Sequence, residues 1–139
     1  MYLPKTLVIL EVLLKNITEK RIEIGSSTTN YLNNLDFLWV LKAPDGFFLE
    51  IRFQEFKLES QSKCHFDNLT LFDGTIENGK ILAILCGNDG QEKTYRARNT
   101  LTIAVKTDAS VTMRGFKAKV VKGRSIATFP SDIYNGASL

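Results

Sequence analysis

A two-residue period runs through most of this chain, and it restricts the chain to strands. In "FLEIRFQEF", Leu49, Ile51 and Phe53 alternate with Glu50, Arg52 and Gln54. In "LTIAVK", Leu101, Ile103 and Val105 alternate with Thr102, Ala104 and Lys106. "NLTLF" repeats the pattern with Leu69 and Leu71, "GFKAKVV" with Phe116, Ala118 and Val120, and "FLWVL" puts Phe37, Trp39 and Leu41 on one face. Successive side chains of a strand point to opposite sides, so this alternation marks strands with one buried face. Turn signals separate them: "APDG" (43–46), "DG" (73–74), "ENG" (77–79), "GNDG" (87–90) and "TDAS" (107–110). The run "KILAILC" is apolar throughout and fits either a buried strand or a short helical turn. No long stretch carries the 3.6-residue period of a helix. Many short strands at this spacing predict an all-β fold, a two-sheet antiparallel β-sandwich.

A chain of 139 residues is one domain's worth, and at 44% hydrophobic residues it can bury a core. The net charge of +3 is weak. Lys117, Lys119, Lys122 and Arg124 form the densest basic stretch, without interleaved aromatics, which gives no case for nucleic acid. These residues read as a solvated strand face running into a tail. The start, "MYLPKTLVILEVLLKN", has an apolar stretch from Thr6 to Leu14 interrupted by Glu11. It is too short to span a membrane. Residues 1–21 read as a degenerate signal peptide or as a first strand, residues 22–121 as the domain, and 122–139 as a C-terminal tail or linker stub.

Two cysteines, Cys64 and Cys86, fit one disulfide or two free thiols. One histidine, His65, makes a zinc site of four N, S or O ligands nearly impossible. On a strand Cys64 and His65 would face opposite ways, so they form no nucleophile–base pair. Two N-x-S/T sequons, at Asn16 and Asn68, are usable in a secreted chain.

The order of these motifs resembles a CUB domain, from about Ile22 to Val121. The stretch "NNLDFLWVLKAPDGFFLEIRFQEFKLESQSKCHFDNLTLFDG" is similar to the family's central block: a tryptophan strand, a Pro-x-Gly turn, a long alternating strand, then Cys, an aromatic, Asp and a Gly turn. "LCG" (85–87) matches its next cysteine motif, and "NTLTIAVKTDASVTMRGFKAKV" its last strand pair. The resemblance implies a CUB-like jelly roll with a Cys64–Cys86 disulfide. One departure is clear. The family often has a further disulfide with a cysteine two residues before the tryptophan. That position is Phe37 here, no cysteine lies upstream, and an aromatic ring beside Trp39 is expected to fill the volume.

The resemblance also explains two acids around Cys64. Many CUB domains bind calcium at one end of the sandwich, and the positions that match their ligands are Glu59, Asp67 and Asp108, with help from Ser110 in the "DAS" loop. Calcium takes six to eight oxygens, and three convergent carboxylates would otherwise repel one another. Ordinary surface charge and an acid–base pair of Glu59 and Asp67 are the competing readings. Tyr31 is the nearest candidate for the family tyrosine that supports the glutamate. The implied function is an extracellular, secreted, non-catalytic interaction module. It holds Ca²⁺ and takes an exposed Lys or Arg of a secreted or membrane protein, without inserting into a membrane. Alternatives are a piece of a larger secreted protease or endocytic receptor, and a stand-alone carbohydrate- or lipid-binding protein of the same fold. Nothing in the sequence fixes the oligomeric state.

Overall fold

The computed structural model describes residues 6–25, 30–61, 63–108 and 112–125. Among the described residues, nine strands follow one another: β1 (Thr6–Leu13), β2 (Glu19–Ile24), β3 (Leu35–Lys42), β4 (Phe47–Lys57), β5 (Asn68–Asp73), β6 (Lys80–Leu85), β7 (Thr94–Ala97), β8 (Thr100–Lys106) and β9 (Gly115–Arg124). They form two layers. One sheet has the order β1-β3-β8-β5-β6 and the other β2-β9-β4-β7. All pairs are antiparallel except β1 with β3, where Val8 lies beside Phe37 and Leu10 beside Trp39. The all-β sandwich follows from the alternation. The parallel pair does not, because it is set by a crossover rather than by a local turn.

The alternating apolar residues meet between the layers. Trp39, Leu41, Leu69, Leu71, Leu101, Ile103 and Val105 come from the first sheet, and Leu49, Ile51, Phe53, Phe116, Ala118 and Val120 from the second. Each fully buried large apolar side chain contributes about 1.5–3 kcal/mol relative to exposure. A bulge between Phe53 and Glu55 shifts the register of β4 on β9. It turns Phe56 inward, where its ring lies 6.3 Å from that of Phe116. Strict alternation would have pointed Phe56 out. Phe37 stacks on Trp39 with ring centroids 5.3 Å apart, as its position beside the tryptophan suggests.

"KILAILC" resolves into strand β6 and Cys86. It is not a buried strand but an edge, with Ile81 and Ile84 about half exposed. The apolar stretch at the N-terminus is strand β1, and β2 starts at Glu19, ahead of Ile22. β9 continues to Arg124.

Candidate metal centre

Three strand ends meet at one end of the sandwich. Glu59 lies two residues beyond β4, Asp67 directly before β5, and Asp108 two residues beyond β8. β5 and β8 are neighbours, and the pairing of Asn68 with Lys106 brings their ends together. β4 reaches the same end from the opposite sheet. Carboxylate oxygens of Glu59, Asp67 and Asp108 all lie within 4.8 Å of one another. Asp67 is fully buried, Glu59 is 9% exposed and Asp108 is half-buried. Ser110, the fourth expected residue, lies outside the described residues.

The backbone around the three acids is pinned from several sides. Tyr31 donates its hydroxyl hydrogen to Asp67 Oδ2 and accepts from the Glu59 backbone N–H at 3.1 Å. One phenol thus joins two of the acids, and Tyr31 itself is buried, its main chain held by a 3.0 Å bond to the Met113 carbonyl. The Asp108 backbone N–H donates to Asp67 Oδ1 at 2.8 Å. Thr107 was not singled out in the sequence, yet it is fully buried: its hydroxyl donates to the Leu32 carbonyl at 2.9 Å and accepts from the Leu35 N–H at 2.7 Å. A threonine leaving a strand just before an acid is the only signal that pointed to it. On the other side, the Leu58 N–H donates to the Gly87 carbonyl at 2.9 Å and the Gly87 N–H to the Glu59 carbonyl at 3.4 Å. Gly87 sits at φ 54°, and a Cβ there would stand 3.2 Å from Ser60 Oγ, so a side chain would disturb this clamp.

Cys64 and Cys86 form a disulfide with Cα atoms 5.4 Å apart. It ties the loop that leads into Asp67 to the residue before Gly87, and therefore to the Glu59 clamp. Cys64 and His65 lie in a loop rather than on a strand, so their separation rests on the disulfide and not on strand geometry. A second group, Cys64, Cys86 and Asp89, also lies close together. Its two sulfurs are bonded to each other and offer no thiolate to a metal. Asn68 is half-buried, and its amide donates to the Cys64 carbonyl at 3.1 Å. Asn16 is exposed in the bend after β1.

The electrostatics of the acidic end are unbalanced. Burial raises the Glu59 carboxyl above its ordinary range, and the charges of Asp108 and Asp67 add to the shift. Burial also raises Asp67, against hydrogen bonds from Tyr31 and the Asp108 main chain that favour its charged form. Tyr31 is pushed well above the usual phenol range by burial and by its bond to Asp67. Oε1 of Glu59 is buried without a hydrogen-bond partner among the described residues. A buried acceptor in that position costs free energy unless something donates to it or a cation faces it.

A family model, the CUB domain, matches residues 15–120. The chain belongs to the CUB family. It is 33% identical over 88 residues to human Tolloid-like protein 1 and 32% identical over 120 residues to human Cubilin. Those alignments cover 63% and 80% of this chain but 9% and 3% of the relatives, so the chain spans under a tenth of their length. Among solved structures, the CUB1-EGF-CUB2 region of human MASP-1/3 superposes with a TM-score of 0.68 at 23% identity, covering 77% of this chain and 42% of that one. The MASP-1 CUB2 domain, solved bound to Ca²⁺, superposes with a TM-score of 0.66 at 16% identity, covering 82% of this chain and 96% of that one. Both likenesses establish the CUB sandwich as the fold.

Proposed function

We propose that this CUB domain is an extracellular, non-catalytic interaction module whose acidic end holds Ca²⁺. The observation that carries the reading is the buried, unpartnered Oε1 of Glu59 beside two further carboxylates within 4.8 Å. Three acids crowded into a partly desolvated end repel one another, and a hard divalent ion suits an all-oxygen donor set. The donors fit such an ion: Glu59, Asp67 and Asp108 supply carboxylate oxygens, and Ser110 is the further donor expected from the "DAS" loop. The related MASP-1 CUB2 domain is a Ca²⁺ complex, which supports the same assignment here. When bound, the ion supplies positive charge that fixes the loops. The remaining carboxylate oxygens then form a rim that takes a Lys or Arg side chain of a secreted or membrane protein through a charge-assisted pair. The chain is then one module of a longer secreted protein or receptor, in line with the small share of its relatives that it spans. In that setting the exposed Asn16 takes a glycan, and Asn68 does not, because its amide is engaged and half-buried.

Calorimetric titration with calcium tests the site. Saturable one-site binding and a raised melting temperature are expected, since a ligand that binds only the folded state stabilises it. Asp108→Ala should weaken calcium affinity by about 100-fold, roughly 2.7 kcal/mol, with the fold retained. Unchanged affinity in that variant, or no binding at millimolar calcium, overturns the assignment.

A further inference from the structure

The two sheets end in four edge strands, β1 and β6 in one, β2 and β7 in the other. An open edge presents unpaired N–H and C=O groups and pairs with other chains unless it is blunted by charge, shortness or a bulge. Three of the four are blunted. β2 carries Glu19, Lys20, Arg21 and Glu23 among its six residues. β7 has four residues, one of them Arg96. β6 begins with Lys80, and Leu82 falls out of register because Leu71 pairs with Ala83 but Phe72 with Ile81.

β1 has none of these protections. Its eight residues, "TLVILEVL", contain one charge and no proline, and all eight keep an unbroken register with β3. Among the described residues its outer face is largely uncovered, while on the inner face Val8 and Val12 are half-buried. Leu7 and Ile9 are 55% exposed and Leu13 67% on the outer face, and Leu10 is 43% exposed on the face it shares with Trp39. The outer face continues this character inward, since Ile9 adjoins Leu38, Leu38 adjoins Ala104, Ala104 adjoins Thr70, and Thr70 adjoins Ile84. Such an edge is suited to strand addition.

We propose that β1 is a homodimerisation edge, pairing antiparallel with β1 of a second copy about a two-fold axis at Leu10. The sequence of the strand selects that occupant. Opposed residues of an antiparallel pair share a face, so a symmetric pairing must centre on a single residue. Centred on Leu10, it sets Leu10 against Leu10, Val8 against Val12, Leu7 against Leu13 and Ile9 against Glu11. The Glu11 carboxylates stay apart, each beside its own Lys42, whose Nζ lies 4.0 Å away. Centring on Glu11 would face two carboxylates at one point. Centring on Ile9 would leave Leu13 beyond the partner strand. Pairing along one eight-residue edge covers less than the roughly 1,200 Å² at which stable specific interfaces begin, so the dimer is weak. This inference is independent of the calcium reading.

Sedimentation equilibrium on the full chain up to about 100 μM tests it, a range where a micromolar dimer is visible. Concentration-dependent dimer is expected, with and without calcium. Ile9→Glu, at an exposed position and set against Glu11 of the second copy, should weaken association at least tenfold through like-charge repulsion while its melting temperature stays near that of the parent. Leu10→Cys should cross-link to itself under mild oxidation at least tenfold faster than Leu7→Cys, because only residue 10 faces its own copy. A chain monomeric at the highest concentration overturns the proposal. So does a dimer untouched by Ile9→Glu, or equal cross-linking of the two cysteine variants.

Discussion

Glu50 and Glu59 are nearly equally buried, at 8% and 9% exposure, yet their surroundings are opposite. Glu50 sits mid-strand on the outer face of β4, with Arg52 Nε at 2.7 Å and Arg96 Nη2 at 2.9 Å on its two oxygens. Arg96 also lies 4.0 Å over the Phe48 ring, which holds it in place. The arginine hydrogen bonds pull the Glu50 carboxyl below its ordinary range. Glu59 sits at a strand end with two further acids, and burial pushes it up. A carboxylate within a sheet that also supplies its cations is a closed internal contact. A carboxylate buried among others at a loop junction is a demand for positive charge from outside. On the proposed reading, the difference separates a structural acid from a ligand-binding one, where burial alone does not.

The disulfide gives the largest effect that sharpens this contrast. It reaches the Glu59 clamp through Gly87. Cys64→Ser/Cys86→Ser should lower stability by about 3 kcal/mol in denaturant melts, as expected for closing a loop of this size. It should also weaken calcium affinity in calorimetry, because the loops carrying Glu59 and Asp67 are no longer fastened together. Full calcium affinity in the reduced protein would detach the disulfide from the site.

Exchanging each acid for its amide breaks the comparison directly. Glu59→Gln should lower calcium affinity by about 100-fold, roughly 2.7 kcal/mol, without destabilising the calcium-free protein, since it removes a carboxylate that its neighbours repel. Glu50→Gln should leave calcium affinity unchanged and cost about 1 kcal/mol of stability. The smaller figure follows from the exposure of the Arg52 and Arg96 side chains, 54% and 60%, which solvent screens. A calcium-binding loss in Glu50→Gln, or none in Glu59→Gln, would erase the distinction.

The sequence reveals the two kinds of acid unequally. Period two displayed the strands and which residues would face the core, because strand side chains alternate whatever the sheet order. It could not show the bulge at Phe53–Glu55 or the parallel partner of β1, which depend on pairing between distant segments. The three acids at the sandwich end were visible through the order of motifs shared with the CUB family. Their mutual distance and the unpartnered Glu59 oxygen were not, since these arise from two sheets meeting. Glu50 looked like a solvent-facing residue by alternation, and Arg52 two positions on together with Arg96 across the β4–β7 pair leaves it buried and paired. Thr107 and the Asp108 main chain were invisible for a similar reason: their role is to accept and donate backbone hydrogen bonds to loops 40 to 75 positions away.

Acidity provides the smallest and most discriminating effect. For Glu50 the folded pKa lies below the unfolded one, so its stabilising contribution is present above the ordinary glutamate range and is lost as pH falls through the lowered value. For Glu59 and Asp67 the folded pKa values lie above the unfolded ones. Between ordinary and raised values the folded chain holds more protons than the unfolded chain, so calcium-free stability declines as pH rises through that window. Calcium reverses this part alone, because it favours the ionised carboxylates. Melts from about pH 4 to pH 7, in chelator and in saturating calcium, should therefore diverge as pH rises. The part of the gap owed to these two groups should be greatest at the neutral end. Glu50→Gln should leave that divergence in place, and Glu59→Gln should shrink it. A gap of constant width across the range would mean that the raised carboxyls and the calcium site are not the same groups.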